Sequence, residues 1–327
     1  MRTSIVYILV STSDDFFYEQ TLISAWSARY WNPNVKILCV MDELTDANLT
    51  DKRTSLLEII DKKIVVDLSE GGTAKYTGKE RSRMLKTNLR SYVEGDLLYI
   101  DSDTVVCCSL DDVDSFQFAL GAVDDAHGTY WGYKRWNDSL VRYRVGLLGK
   151  YDVSRAKNYF NSGVLYMKDT EEVRKFMKVW HSLYMTGQSK GLSFDQPSLL
   201  VANTQLDLIS PMDDIYNCQI LSGGLPFFAE AKILHYYNSL GTQGFCSLTD
   251  ARLYSKIKKS GFLDEDDKKK IRLAKRQFAD RYSFVYGKDL KFWNSSLRHL
   301  FHDSPKLFGI CEIISKVFLK ILNFSKQ

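Results

Sequence analysis

The sequence predicts an α/β fold, in which a mixed, mainly parallel sheet is flanked by helices and followed by a basic helical region. Short apolar runs typical of buried strands alternate with stretches of helical length, which is the pattern of βαβ units. The 327 residues are 45% hydrophobic and 26% charged, so the chain can bury a large core. Before position 251 there are 26 basic and 32 acidic residues, and after it 18 and 8. We therefore expect two parts, 1–250 and 251–327.

The first hundred residues contain the clearest alternation of strands and helices. The predicted order is a strand at 5–11, a helix at 18–30, a strand at 35–41, a helix at 46–60, a strand at 63–68, a helix at 79–92 and a strand at 96–101. Such connections are right-handed crossovers between parallel strands. Ligands bind beyond the carboxyl ends of strands in these sheets, where the segments 11–15 and 101–103 fall.

The remaining elements are less regular. Strands are predicted at 117–123, 163–168 and 231–237, and helices at 170–186 and 196–202. A polar and aromatic stretch, 126–160, lies between the first two of these strands. From residue 251 onward the pattern is helical, with Asp264 as a predicted N-cap.

Several classes of protein are disfavoured by composition. The six cysteines form no C-x-x-C pair, which argues against a zinc knuckle or a thiol redox motif. The apolar run at 5–10 is too short for a signal peptide, and no run of 18 apolar residues occurs. We therefore expect a cytoplasmic chain with reduced cysteines. The basic tail predicts an anionic partner, and no nucleic-acid partner is expected.

The strongest local signal is the segment LLYIDSDTVV at 97–106. Asp101 and Asp103 interrupt a buried strand, and two carboxylates so close together repel each other unless a cation lies between them. Hard oxygen ligands favour Mg²⁺ or Mn²⁺, which commonly also bind substrate phosphates. The alternative is an exposed turn with two solvated aspartates.

Five segments in order resemble one family. They are ILVSTSDDFF at 8–17, the helix carrying Arg83 and Lys86 together with LLYIDSDTVV, FNSGVLYM at 160–167, FDQPSL at 194–199 and ILHYYNS at 233–239. Together they resemble the GT-A glycosyltransferases, especially glycosyltransferase family 8, which includes bacterial lipopolysaccharide galactosyl- and glucosyltransferases and glycogenin. The resemblance covers about residues 4–240. It implies a GT-A, Rossmann-like fold and a retaining transfer of a hexose from a UDP-sugar to a glycan or lipid-linked acceptor in cell-surface polysaccharide synthesis.

The resemblance also implies a site. Asp101, Asp103 and His235 would bind Mn²⁺, with Mg²⁺ as the second choice, although a lone strand histidine is more often a packing residue. Gln196, Asp195 and Lys86 would be catalytic. The residues expected to contact the UDP-hexose are Ser11, Thr12, Asp14, Asp15, Arg83, Lys86, Ser102, Asp124, Asp125, Asn161, Asp195 and Gln196. Only one of Asp124 and Asp125 would match the family's sugar-binding aspartate, and the register between them stays open. The rings of 126–160 would stack on the acceptor, or pack internally.

One departure from the family keeps two alternatives open. The segment HYYNSLGTQGF after the metal histidine has no counterpart of the family's Lys-Pro-Trp, whose lysine neutralises the leaving diphosphate. The chain could thus be a non-catalytic or altered sugar-nucleotide-binding or membrane-binding protein. A sugar nucleotidyltransferase is less favoured, because ILVSTSDDFF lacks the glycine and arginine of a phosphate loop.

The tail predicts a peripheral attachment to a membrane. Apolar residues from Leu307 to Ile321 recur along one face of a helix, and the segment 268–276 adds six basic residues. Such a basic amphipathic region, 268–327, is suited to an anionic bilayer at the inner face of the cell membrane. A helix docked on protein is the alternative.

Overall fold

The computed structural model describes residues 1–68, 75–128, 139–154, 156–236, 248, 251–279 and 296–324. It divides into two compact units, Met1–Asp280 and Arg281–Gln327. The expected functional division at residue 250 stays a prediction.

The first unit is built on a seven-stranded sheet. Its strands are β1 Ser4–Leu9, β2 Ile37–Asp42, β3 Lys62–Val66, β4 Leu97–Ile100, β6 Leu120–Asp124, β7 Phe160–Met167 and β8 Ile209–Pro211, in the order β3-β2-β1-β4-β7-β6-β8. Strands β3, β2, β1 and β4 run parallel to one another, β8 is parallel to β6, and β7 is antiparallel to both β4 and β6. The predicted mixed, mainly parallel sheet is confirmed.

Helices cover both faces of this sheet. They are α1 Phe17–Trp31, α2 Glu43–Ala47, α3 Gly78–Thr87, α4 Ser139–Leu148, α5 Glu171–Gln188, α6 Gln196–Leu206, α7 Ala251–Ser260 and α8 Glu265–Arg272. Strand β1 shows why two layers form: Ile5, Tyr7 and Leu9 belong to one core, whereas Val6 and Ile8 belong to the other. Alternation along the strand therefore buries both faces of the sheet.

The helix predicted at 46–60 is wrong. The chain forms the short α2, which Asp42 caps and which ends at Asn48, and then two 3₁₀ turns, Asp51–Arg53 and Ser55–Glu58. Asp51 has a φ of 50°, a left-handed conformation that a continuous helix cannot contain. Threonine, serine and aspartate side chains compete for backbone hydrogen bonds in this segment, which favours turns over a long helix.

A second, three-stranded sheet supports the site. It consists of β5 Thr104–Val106, β9 Cys218–Gln219 and β10 Ile233–His235, with β10 in the centre. Strand β10 is antiparallel to β5, so that His235 lies opposite Thr104. The strand predicted at 231–237 is thus shorter, and its residue 237 lies outside the described residues.

Helices α7 and α8 belong to the first unit. Leu253, Tyr254 and Ile257 are part of its core, and Lys258 Nζ donates to the Ser13 carbonyl at 2.8 Å. Asp264 is the N-cap of α8, as predicted, and forms a capping box with Asp267.

The second unit contains α9 Ser296–Asp303 and α10 Pro305–Phe324. The described apolar side chains of the predicted stripe on α10 are about half exposed or more, from 49% at Ile314 to 60% at Phe318. Within the described part of the chain, no helix combines the length and the apolar character needed to cross a membrane.

Candidate functional site

A cleft of about 340 Å³ opens beyond the carboxyl ends of β1 and β4. The loop after β4, one face of α3, the start of β7, the start of α6 and β10 all contribute to it. The lining residues are Ile8, Val10, Phe17, Gln20, Gly78, Lys79, Ser82, Arg83, Lys86, Asp101, Ser102, Asp103, Asn161, Ser162, Gly163, Asp195, Gln196 and His235. The structure thus brings together nine of the predicted site residues, at the edge where parallel sheets bind ligands.

Asp101, Asp103 and His235 converge in this cleft. One ligand atom from each lies within 4.8 Å of the others, and His235 Nε2 is 3.2 Å from Asp103 Oδ1. Two carboxylates with one imidazole suit a divalent cation such as Mn²⁺. Burial alone would raise the pKa of Asp103, but the adjacent His235 outweighs burial and holds that pKa below its usual range. The packed-histidine alternative does not account for this convergence.

We call Asp101, Asp103 and His235 the metal-ligand cluster, after the role that the family resemblance implies for them. Lys86 links this cluster to the other wall of the cleft. Its Nζ is 3.0 Å from Asp101 Oδ1 and 3.7 Å from Asp195 Oδ2. Burial would lower the pKa of Lys86, but these two carboxylates raise it above its usual value. The Tyr99 hydroxyl also donates to Asp101, and Lys86 lies 5.1 Å above the Tyr99 ring. Lys86 is therefore a buried cation shared by both carboxylates.

Asp195 occupies the N-cap position of α6 without acting as a cap. Its side chain makes no capping hydrogen bond and instead accepts from Ser162 Oγ at 2.8 Å and from Arg83 Nε at 3.4 Å. Burial would raise the pKa of Asp195, but Lys86 and Arg83 lower it below its usual value. Asp195 is therefore not an ordinary N-cap, and its carboxylate stays ionised inside the cleft. Gln196 follows it on the same wall.

A chain of amide hydrogen bonds runs behind the metal-ligand cluster. His235 Nδ1 is 2.8 Å from Asn217 Oδ1, and Asn217 Nδ2 donates to Asn161 Oδ1 at 2.9 Å. Because an amide oxygen only accepts, His235 Nδ1 donates to Asn217, so that Nε2 faces Asp103 and the cleft and holds the lone pair when the imidazole is neutral. Asn161 Nδ2 donates in turn to Asp125 Oδ1 at 3.0 Å. The geometry fixes both the tautomer and the orientation of His235.

Gly163 explains how closely these elements approach. A Cβ at this position would lie 2.3 Å from His235 Cε1 and 2.9 Å from Asp101 Oδ2. No side chain fits there without displacing a member of the cluster. The glycine of the FNSG segment is therefore required by close packing against the histidine.

Asp124 and Asp125, the two candidates for the family's sugar-binding aspartate, take different positions. Asp125 is fully buried and supports Asn161, whereas Asp124 is partly exposed and accepts from Asn158 at 2.9 Å. Burial raises the pKa of Asp124. Neither lines the cleft, and direct contact of either with a sugar stays a prediction.

The polar loop after β1 is organised mainly by its own side chains. Asp15 accepts from Ser11 Oγ at 2.6 Å, from Thr12 N at 2.7 Å and from Phe17 N at 3.0 Å. Asp14 is exposed. These loop residues border the cleft without lining it, and their contact with a nucleotide stays a prediction; Phe17 and Gln20 line it instead.

Sequence reasoning missed Asn217, Tyr99 and Phe17. Asn217 precedes a two-residue strand and carries no local signal, because only the pairing of β9 with β10 brings it to His235. Tyr99 could have been found from strand alternation, since it points to the same face as Asp101. The segment 237–247, which holds the departure from Lys-Pro-Trp, and Tyr130, Trp131, Tyr133 and Trp136 lie outside the described residues.

No family model and no curated protein matches the chain. Solved structures do match. One is the galactosyltransferase LgtC in complex with donor and acceptor sugar analogs, with 15% identity over 82% of this chain and 100% of that chain and a TM-score of 0.52. Another is an active-site mutant of LgtC in which a glutamine is replaced by glutamate, with 15% identity, 81% and 98% coverage and a TM-score of 0.53. The chain therefore has the GT-A fold expected from its sequence motifs.

Proposed function

We propose that the chain is a metal-dependent glycosyltransferase that transfers a hexose from a UDP-sugar, with UDP-galactose or UDP-glucose as the donor. The observation that carries this proposal is the convergence of Asp101, Asp103 and His235 in one cleft with Lys86 and Asp195. The fold is shared with LgtC, a galactosyltransferase whose complex holds donor and acceptor sugar analogs.

The three side chains of the metal-ligand cluster suit a divalent cation. Asp101, Asp103 and His235 would hold Mn²⁺, or Mg²⁺ as the second choice, which when bound would offset the negative charge of a departing diphosphate. Lys86 supplies a positive charge of the chain's own beside the same position. Lys86 is buried, and its neighbours keep it charged. It can therefore replace the lysine of the missing Lys-Pro-Trp segment in neutralising the leaving diphosphate.

The sugar would lie between β7 and the start of α6. Asn161, Ser162 and Asp195 place amide, hydroxyl and carboxylate groups on this wall, which are the groups that bind sugar hydroxyls. Gln196 lies beside them, and a glutamine is the residue replaced in the active-site mutant of LgtC. We place its amide near the anomeric carbon.

Retention of configuration is part of this proposal, because the family resemblance implies it, and the state of Asp195 favours a front-face substitution over a covalent intermediate. Its carboxylate is engaged by Lys86, Arg83 and Ser162, which suits it to hydrogen bonding more than to nucleophilic attack. The acceptor hydroxyl would then attack C1 on the face from which UDP leaves, and its proton would pass to a phosphate oxygen of UDP. The anomeric proton coupling in the NMR spectrum of the product distinguishes retention from inversion.

The central test is release of UDP. With Mn²⁺ present, UDP-galactose or UDP-glucose should yield UDP, and EDTA should stop the release. The test also separates the enzyme from a non-catalytic protein that kept the fold, since such a protein would bind UDP with Mn²⁺ yet release none from the donor with any acceptor tried. Turnover that continues unchanged in EDTA would contradict the metal dependence.

We further propose that the tail carries the enzyme to a lipid-linked acceptor at the inner face of the cell membrane, as a step in cell-surface polysaccharide synthesis. The support is the exposed apolar face of α10, with Leu307 and Ile310 each 54% exposed. The full chain should co-sediment with anionic vesicles at low salt, and deletion of 303–327 should release it without removing UDP release. Equal recovery of both proteins in the supernatant would favour the docked-helix alternative.

A further inference from the structure

Two cations lie over one aromatic ring at the rim of the cleft. Lys79 Nζ is 4.5 Å and Arg144 Cζ is 4.1 Å from the centre of the Phe194 ring. Lys79 lies on α3, Arg144 on α4, and Phe194 directly precedes Asp195. We name Lys79, Arg144 and Phe194 the rim cluster. Three separate segments of the chain therefore bring two like charges to one ring.

Within the described residues, no acidic side chain forms an ion pair with the cations of the rim cluster. Among the residues that the structure describes, neither Lys79 nor Arg144 has a carboxylate within 4.0 Å. Asp195 is the acidic neighbour of Lys79, but it is already engaged by Arg83 and Lys86. Burial, and then the charges of Arg83 and Arg144, lower the pKa of Lys79. An anion bound here would offset this repulsion.

The rim cluster is separated from the metal-ligand cluster along α3. Lys79, Arg83 and Lys86 recur at helical spacing, and all three line the cleft. Lys86 contacts Asp101, Arg83 contacts Asp195, and Lys79 contacts Phe194. Seven residues of helix correspond to about 10 Å, so Lys79 lies well apart from Lys86 and Asp101 along the wall of the cleft.

The place of Arg144 in the sequence relates the rim cluster to the acceptor. It lies in the segment 126–160, which the sequence predicts to bind the acceptor, and its guanidinium presents paired donors suited to phosphate or carboxylate oxygens. The Phe194 ring holds both cations in place and offers an apolar surface beside them.

We propose that the rim cluster binds an anionic group, phosphate or carboxylate, carried by the sugar acceptor. The inference rests on the proposed function and names the chemical class of its acceptor: an acidic or phosphorylated glycan. A neutral acceptor would offer Lys79 and Arg144 no negative charge to bind.

The experiment is a calorimetric titration of the full chain saturated with Mn²⁺ and UDP, so that the donor site is filled. The probes are glucose 6-phosphate, glucuronate and glucose, which separate phosphate, carboxylate and neutral sugars. We expect at least one anionic probe to bind about tenfold more tightly than glucose. Arg144→Gln and Lys79→Gln should each remove most of that preference. Lys178→Gln is the matched control, because Lys178 is an exposed lysine of α5 outside the cleft.

The outcomes separate the two proposals. UDP affinity is measured first in every variant, and failure of the unmodified chain to bind UDP with Mn²⁺ would overturn both. If UDP binds but glucose and the anionic probes bind alike, or Arg144→Gln keeps the preference, the inference on the acceptor is wrong while the proposed function stands. Loss of UDP affinity in Lys79→Gln would assign that cation to the donor and equally overturn the inference.

Discussion

The loops after β1 and β4 look alike in sequence but differ in what their acids do. Both follow a buried parallel strand and contain two aspartates close together. After β1, Asp15 turns back and binds Ser11 and Thr12 of its own loop. After β4, Asp101 and Asp103 face partners from distant elements, namely Lys86 and His235. The comparison teaches that carboxylates which face cations from distant elements, more than the presence of two acids, mark a binding loop.

Replacing an acid of the β4 loop should have the largest effect. Asp103→Asn keeps the size of the side chain but removes the charge that a divalent metal requires, so UDP release should fall by about 10³-fold or more. The circular dichroism spectrum should stay unchanged. Activity that survives both this substitution and EDTA would show that the acids of the β4 loop bind no essential metal.

Gln196→Ala tests the sugar wall next to the β4 loop. Because we place Gln196 beside the sugar and not the nucleotide, turnover should fall by about 100-fold with little change in UDP affinity. Lys86→Ala should weaken both, since Lys86 touches Asp101 as well as Asp195. A large loss of UDP binding in the Gln196 variant would show that α6 contacts the nucleotide.

Asn217→Ala tests the partner of the β4 loop rather than its acids. The substitution removes the amide that orients His235 and leaves Asp101 and Asp103 unchanged. Loss of the hydrogen bond to His235 Nδ1 should reduce Mn²⁺ affinity by about 10–100-fold, measured by calorimetry without any donor. Asn158→Ala is the control, because it contacts Asp124 and not the histidine. Equal Mn²⁺ affinity in both variants would refute the role of Asn217.

Metal affinity should rise with pH. Burial opposes the protonated form of His235, but Asp103 outweighs burial and raises the pKa above 6.5 in the metal-free site. The metal needs the neutral imidazole, so below that pKa binding must release a proton, and affinity should change by about tenfold per pH unit. Titrations of Mn²⁺ in two buffers of different ionisation enthalpy count the protons. Proton-free binding at pH 6.5 would contradict this.

The smallest functional effect is expected in the β1 loop. Asp15→Ala removes an acceptor of four hydrogen bonds, so the free energy of unfolding should fall by about 1–3 kcal/mol. Mn²⁺ affinity should stay unchanged, because Asp15 lies outside the metal-ligand cluster. A drop in Mn²⁺ affinity would show that the two loops act together.

The sequence is most informative where a residue's role depends on its own segment. Asp101 and Asp103 interrupt an apolar run. The run itself predicts a buried strand, and the interruption predicts that the two carboxylates have a binding role. His235 came only from the resemblance, because its place beside Asp103 depends on the antiparallel pairing of β5 with β10. Asn217 left no signal at all. The prediction of a helix at 46–60 was wrong because it relied on the spacing of apolar residues and gave too little weight to the turn-forming residues around Asp51.

The pairing of β5 with β10 also sets when the metal site can form during folding. Thr104 and His235 are roughly 130 residues apart along the chain, so this contact closes late and slowly compared with the local helices. A cation that joins Asp101 to His235 would stabilise only chains that have completed this closure. Mn²⁺ should therefore slow unfolding more than it speeds folding, and the kinetic lifetime of the native state would depend on the metal supply of the cell.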